Sequence, residues 1–372
     1  MRLEPRPTVS VIVPAYGVAH LVGATLASLQ AQHLRTWEAI VIDDGAPDDV
    51  AAAFAPFACD ERFRLLLTDN HGLAGARNRA IAASRAPFIC LLDGDDQYEP
   101  AYLNRMLEAI ESDPALGFVC CDALLFGGDE PPGRRYSSLY NMTGQISLER
   151  VLDRTFQVFV AAIIRRAALE EVGGFDSSLR VSEDLDAWIR LLAAGWRGAF
   201  LAEPLVRYRR RADSLSSNAR RMLAGNCLVY RKASRLLEGR AEQTTANRTL
   251  AAYEQALRWL NGEDLILRGD VAGGLLLLAD AEQRSPSWRI ALAIMRRAPW
   301  LAAYLLRTRT RLRDLHRNHR PVTSTLRARM ARVWPSRPAA RPPQVTSNDR
   351  AGSAELPRNK IDPSAVTSKH LG

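Results

Sequence analysis

The 372-residue sequence has no run of 18 or more apolar residues free of charged ones, so it offers no evident membrane-spanning helix. It also has no C-x-x-C pair. Its five cysteines (Cys59, Cys90, Cys120, Cys121 and Cys227) are odd in number, and Cys90 lies in the apolar run FICLL as a small buried hydrophobe. A disulfide scaffold is thereby excluded, and a reducing compartment fits best. The six histidines contain no H-E-x-x-H pattern, and His316 and His319 sit among arginines that would repel a cation. The opening MRLEPRPTVSVIVPAYG does not read as a secretory signal, because its apolar run holds a proline and leads into a patterned strand. What is present is ordinary for a globular protein: 47% hydrophobic and 24% charged residues exclude a wholly disordered or collagen-like chain.

Positive charge is concentrated at one end. Residues 301–372 hold 15 Lys+Arg against 4 Asp+Glu, more than the whole net charge of +9, so residues 1–300 are slightly acidic. Such a basic end is suited to an anionic membrane, an acidic partner or nucleic acid, or is simply solvated. No nucleic-acid partner is expected for the protein as a whole. Residues 290–313 combine Ile290, Leu292, Ile294, Trp300, Leu301, Leu305 and Leu306 with many arginines. That pattern reads as an amphipathic basic helix, which either lies on an anionic leaflet or packs on its own domain with a wet arginine face.

Hydrophobic periodicity gives the order of elements. The β-branched run TVSVIV (8–13) predicts a buried parallel strand, and further strands are expected at 38–45, 62–68 and 87–92. Helical spacing separates them at 20–33, 48–58 and 73–85. This β-α-β-α-β-α-β order predicts a mostly parallel sheet with right-handed crossovers, which binds ligands at the carboxyl ends of its strands. Downstream the pattern predicts a helix at 100–112, a strand at 117–126 and a Gly-, Pro- and Tyr-rich loop at 127–145. Short helices at 147–153 and 165–172 flank the strand FVAAII, a helix covers 184–194, and strands at 196–208 turn around Pro204. From 219 the chain reads as helical, with candidates at 219–238, 244–261, 270–283 and 287–313. From about 321, prolines in polar sequence predict disorder.

The acids gather at the predicted strand ends, with Asp43-Asp44 after the second and Asp93-Gly94-Asp95-Asp96 after the fourth. Carboxylates converging on one sheet edge repel one another unless a cation or donor groups compensate. Hard oxygens spaced D-x-D-D suit Mg²⁺ or Mn²⁺, and such an ion neutralises the charge that builds on a departing diphosphate.

The ordered blocks VSVIVPAYG, VIDDGAPDD, GLAGARNRAI, CLLDGDD, GGFD and SEDLDAWIRLLAAG resemble glycosyltransferase family 2 over residues 8–218. The resemblance implies an α/β GT-A fold and an inverting, metal-dependent transferase that uses a nucleoside-diphosphate sugar, with a lean to UDP. The acceptor it implies is a glycan or a lipid-linked acceptor in surface polysaccharide or glycoconjugate synthesis. It assigns donor binding to Pro14, Ala15 and Tyr16, with Tyr16 stacking on the base, to Asp43 and Asp44, and to Arg77, Asp93 and Asp95. Metal ligation is shared by Asp95 and Asp96, and Glu183-Asp184 matches the E-D block in which the aspartate is the general base. Two positions depart from the family: Gly17 stands where asparagine is usual, and Arg211 where many members carry a histidine. An arginine there cannot ligate a cation but can pair with the diphosphate. Trp188 reads either as an acceptor-stacking ring or as core, and Ser182 as an N-cap of the helix that carries Asp184.

The resulting organisation is a GT-A domain (1–218), a helical C-terminal domain (219–320) and a basic, Pro-rich tail (321–372). The expected location is cytoplasmic, with a possible peripheral site at the inner face of the membrane. Three other readings stand beside the transferase: a sugar nucleotidyltransferase, a degenerate nucleotide-sugar-binding protein and a receiver-like signalling module. The first is disfavoured because PAYGVAHLVGAT lacks the glycine density and lysine of a triphosphate loop. The last leaves the D-x-D and E-D blocks unexplained.

Overall fold

The computed structural model describes residues 6–307 apart from 129, 141 and 279–285. The predicted tail at 321–372 and the pair His316 and His319 lie outside the described residues. Four strands, Val9–Ala15 (β1), Trp37–Asp44 (β2), Phe63–Thr68 (β3) and Phe88–Leu91 (β4), alternate with helices Ala19–Gln30 (α1), Val50–Phe54 (α2) and Gly72–Ala83 (α3). All four strands are parallel, in the spatial order β3-β2-β1-β4. β1 forms in the middle because Val9, Val11, Ile12 and Val13 are fully buried, as a strand covered on both faces requires. The chain winds from β1 outward to β3 and then crosses back to β4 on the other side of β1. The crevice between the carboxyl ends of β1 and β4 is therefore the point where strand order reverses.

The rest of the sheet is mixed. Gln97–Tyr98 (β5), Leu116–Phe126 (β6), Ala162–Arg165 (β7) and Arg197–Arg209 (β8) extend it in the order β4-β7-β6-β8-β5. Four of the seven pairings are parallel, so the mostly parallel expectation holds, with β7 and β5 antiparallel to their neighbours. Helices Tyr102–Glu111 (α4), Leu148–Leu152 (α5), Arg166–Glu171 (α6) and Glu183–Ala193 (α7) connect these strands.

Two sequence expectations fail for reasons rooted in proline. The chain does not turn at Pro204. β8 runs through it, and its pairing with β6 slips register on either side of Asp122, which stands opposite Pro204. A residue without an N–H cannot take a regular ladder position, and a bulge absorbs it. Nor is 287–313 one helix. Pro299 forces Ala298 out of helical geometry (φ −133°, ψ 73°), so the helix ends at Arg297 and a short 3₁₀ turn, Pro299–Leu301, follows.

Beyond β8 come Ala219–Leu236 (α8), Glu242–Leu267 (α9), Val271–Leu277 (α10) and Pro286–Arg297 (α11). Leu223, Cys227, Tyr230, Ala233 and Tyr253 join the same core as the sheet. A second, smaller core gathers Trp259, Ile266, Leu278, Leu292, Met295, Ala302 and Leu306. Among the described residues, no helix is long and apolar enough to cross a membrane.

Candidate active site

The carboxyl edge of the sheet carries the predicted donor-side residues. Pro14 and Ala15 end β1, and Tyr16 follows them 54% exposed, so its ring is available rather than packed in the core. Gly17 has φ +68°, a left-handed conformation that glycine and asparagine share as preferred residues. Glycine therefore meets this backbone demand without strain. Asp48, which sequence reasoning passed over, holds this turn. Its carboxylate accepts from Gly17 N (3.0 Å) and Ala19 N (2.6 Å), capping α1 from a separate loop. Its only sequence signal is its place among the turn-forming residues GAPDD. The Asp43 carboxylate accepts from Ala46 N (2.8 Å), and the buried Asp44 accepts from His71 N (2.9 Å). Both acids therefore organise the loops after β2 and β3.

The D-x-D loop after β4 is pressed against β1. A Cβ on Gly94 would lie 2.8 Å from Pro14 O and 3.0 Å from Val18 Cγ2, so only glycine fits, and Thr25 Oγ1 donates to the Gly94 carbonyl (3.0 Å). The three acids of the loop then diverge. Asp96 is 1% exposed and accepts from the backbone N–H of Arg209 (2.8 Å), which ties the loop to β8. Asp95 is partly exposed, with Arg211 Nε at 3.5 Å from Oδ2 and Arg209 Nε donating to its carbonyl (2.9 Å). Burial, together with the neighbouring Asp93 charge, pushes the Asp95 carboxyl up to about 6, against the pull of Arg211. Arg211 also lies 3.1 Å from Asp213, yet its buried Nε and Nη1 have no hydrogen-bond partner, so the guanidinium keeps donors for an anion.

Among the described residues, no group of three or more His, Cys, Asp or Glu is arranged to hold a metal ion. The chemistry of Asp93 and Asp95 still fits a divalent cation. They offer hard oxygens, and a cation would offset the burial and the Asp93 charge that together raise Asp95. An ion held by one or two carboxylates commonly takes its remaining ligands from water and phosphate.

Arg77 joins this loop to the E-D helix. It projects from α3, is 1% exposed, and donates from Nη2 to Asp93 Oδ1 (2.7 Å) and from Nη1 to Glu183 Oε1 (2.5 Å). The GGFD block fixes it there. Gly173 (φ +80°) and Gly174 (φ +72°) end α6, where a Cβ on Gly174 would meet Asn78 Oδ1 at 2.9 Å. Asn78 exchanges hydrogen bonds with the backbone of Phe175 (2.9 and 2.6 Å), whose ring lies 5.6 Å from the Arg77 guanidinium carbon. Asp176 of the same block is a brace: it pairs with Lys232 of α8, which lowers its carboxyl to about 2 although partial burial opposes this.

One buried guanidinium thus serves Asp93 and Glu183 with Asp184 close by, and a single positive charge cannot compensate three carboxylates. Burial pushes Glu183 up to about 7, with Arg77 opposing and Asp184 reinforcing. Asp184, partly exposed at the start of α7, is raised by burial as well, with Arg77 and Arg154 opposing. Ser182 does not cap this helix. Its backbone is left-handed (φ 62°), and its hydroxyl instead donates to Asn226 Oδ1 of α8 (2.8 Å). Trp188 is core, 1% exposed and 4.7 Å from the Phe118 ring.

Arg154 had no sequence signal. It follows α5 with φ 62°, bonds Gln157, and is one of the charges acting on Asp184. Tyr230 and Thr249 donate to the Leu152 carbonyl (2.8 and 3.0 Å), so α8 and α9 hold the turn that presents it. Tyr136, in the loop predicted at 127–145, is buried and packs on Tyr140 (4.7 Å), Phe159 (4.6 Å) and Tyr208 (6.0 Å), which anchors that loop to the core.

A sequence model described as "Glycosyl transferase family 2" matches residues 10–173, the span from β1 to the first glycine of GGFD. The succinoglycan biosynthesis protein ExoO of Rhizobium meliloti (strain 1021) is 31% identical over 289 residues, which cover 73% of this chain and 81% of that protein. The chain belongs to glycosyltransferase family 2. Solved structures carry the same fold at lower identity. S. aureus TarS 1-349 in complex with UDP-GlcNAc superposes with a TM-score of 0.56 at 18% identity, over 82% of this chain and 92% of that 1-349 chain. The mannosyltransferase PcManGT of Pyrobaculum calidifontis in complex with GDP-Man and Mn²⁺ gives 0.55 at 20% identity, over 90% and 89%. As a family 2 glycosyltransferase, the protein has its D-x-D and E-D blocks joined through Arg77.

Proposed function

We propose that this glycosyltransferase moves a sugar, with inversion, from a nucleoside-diphosphate donor, a UDP-sugar, to a hydroxyl of a glycan or lipid-linked acceptor in polysaccharide synthesis. The observation that carries the reading is the pair of bonds from buried Arg77 to Asp93 and Glu183, which brings the donor loop and the helix of Asp184 to one site. Relatives and neighbours of this fold that act in polysaccharide synthesis or bind nucleotide sugars support it.

Tyr16 stacks on the base at the β1–β4 crevice, beside the loops that Asp43 and Asp44 organise. Arg211 donates to diphosphate oxygens. Asp95, with Asp93 or Asp96 beside it, would hold Mg²⁺ or Mn²⁺, which supplies charge neutralisation for the leaving diphosphate. The Asp184 carboxylate takes the proton of the acceptor hydroxyl as that oxygen bonds to the anomeric carbon. The anomeric carbon–oxygen bond to the diphosphate breaks on the opposite face, and its electron pair leaves with the nucleotide. A carboxyl held above its usual range is a better proton acceptor near neutrality. Residues 1–218 supply these groups, and the helices beyond 219 brace them.

The test is a panel of UDP- and GDP-sugars with Mn²⁺, Mg²⁺ or chelator, run on the native protein and on Asp184→Asn. Thermal stabilisation by one donor with metal is expected in both proteins. Turnover should fall by about a hundred- to ten-thousand-fold in the variant. No stabilisation by any donor in either protein would overturn the proposal, and donor binding without turnover in the native chain would leave a binding protein.

A further inference from the structure

We propose that α11 and the turn after it form a docking surface for an anionic lipid bilayer. Eleven large hydrophobic residues are exposed among the described residues, and four of them, Ile290 (62%), Ile294 (40%), Trp300 (79%) and Tyr304 (65%), fall within fifteen positions of one another. Scattered exposed hydrophobics need no explanation, but a cluster marks an interaction surface.

The cluster is not the edge of a core left uncovered. On α11, Leu292 (0%) and Met295 (1%) face inward to the second core with Ala302 and Leu306. At about 100° per residue, Ile290 and Ile294 lie roughly 150° around the helix from that buried stripe. The helix thus has two apolar faces, one satisfied inside the protein and one turned outward. After the break at Pro299, Trp300 follows in a turn rather than a continued helix, and it too is exposed.

Charge selects the occupant. Arg289, Arg296, Arg297 and Arg307 are exposed in the same stretch, and Arg297 falls close to Ile290 around the helix. The chain from 301 onward carries 15 Lys+Arg against 4 Asp+Glu. That segment has the same sign as the surface, as has the face of a second copy, so neither is an electrostatically suitable cover. Isoleucines beside a tryptophan and a tyrosine, among arginines, match instead the headgroup boundary of an anionic leaflet. There apolar groups enter the acyl region, aromatic rings sit at the interface and arginines meet phosphates. None of its residues is among those assigned to donor binding or catalysis, and its assignment does not depend on the transferase chemistry.

The experiment is vesicle flotation of the full chain, with phosphatidylcholine alone and with phosphatidylglycerol added, at low and high salt. The variants are Ile294→Glu, Trp300→Glu and the pair, each checked for an unchanged melting temperature. Because these side chains are exposed, the fold should persist. The native chain is expected to float only with anionic vesicles, and partly less so in high salt. Each variant should lose roughly tenfold or more in partitioning.

Equal flotation of native and variant chains would place any binding in the basic segment alone and overturn the proposal. No flotation with anionic vesicles would do so as well. A concentration-dependent dimer that the substitutions abolish, without vesicle binding, would reassign the face to self-association. Preferential capture by soluble polyglutamate that also depends on Ile294 and Trp300 would reassign it to an acidic polypeptide.

Discussion

Replacing Arg77 with methionine probes the joint on which the site depends. The guanidinium is 1% exposed and makes two charge-assisted bonds, 2.7 Å to Asp93 and 2.5 Å to Glu183. Removing it leaves Glu183, itself 4% exposed, without its cation, a situation that costs about 3–5 kcal/mol in buried pairs. The partly exposed Asp93 recovers water and adds less. The expected loss is therefore about 4 kcal/mol, or roughly 5 °C in melting temperature for a chain of this size.

The pH dependence gives the sharper check. Burial already lifts Glu183 to about 7, and without Arg77 it rises further. A carboxyl whose folded-state pKa is raised contributes stability that is present below its unfolded pKa and is lost as pH climbs through the folded one. The variant should therefore lie nearest the native protein at about pH 5 and fall progressively behind above pH 7. Adding Glu183→Gln should recover much of the deficit, because a neutral amide tolerates burial without a cation. Thermal melts across pH, with urea titration of the two single variants and the double, measure all three quantities. A loss below about 1 kcal/mol, or a deficit independent of pH, would refute the claim that one guanidinium compensates this buried acid.

Three further outcomes follow from the same geometry. Gly94→Ala puts a methyl group 2.8 Å from Pro14 O, so it should destabilise by about 1–3 kcal/mol and weaken donor binding more than a helix-surface Gly→Ala would; an unchanged melting temperature and donor affinity would contradict the close approach. The acid limb of the transfer rate should lie above the ordinary carboxylate range, because Asp184 is raised by burial, and it should shift upward in Arg77→Met, where an opposing charge is gone; a pH–rate profile locates both limbs. Lys232→Met removes the cation that pairs with Asp176 and, at 2.7 Å, with Asp186, so it should lower stability modestly while leaving donor affinity intact; a donor-binding defect would show that α8 does more than brace the GGFD segment.

The order of strands, the strand-end acids and the E-D helix were all legible along the chain, because each is written in local periodicity and short spacings. TVSVIV has to be a doubly buried strand, and Asp93 to Asp96 have to sit where β4 ends. The roles within the acidic group were not legible. Asp96 and Asp44 resemble Asp95 and Asp43 in sequence, yet backbone N–H groups of Arg209 and His71, distant in the chain, claim their carboxylates. Arg154 and Lys232 carry no motif, and Asp48, though inside VIDDGAPDD, gives no sign there that its partners are the backbone of Gly17 and Ala19.

The sequence by itself determined which chemistry was possible, through residue types at fixed intervals. Tertiary structure alone decided which charges face one another, because burial and Coulomb interactions depend on distance through space, and Arg77 meets Glu183 across 106 positions of chain. Only the fold, likewise, could divide the apolar residues of α11 between a packed side and an outward one.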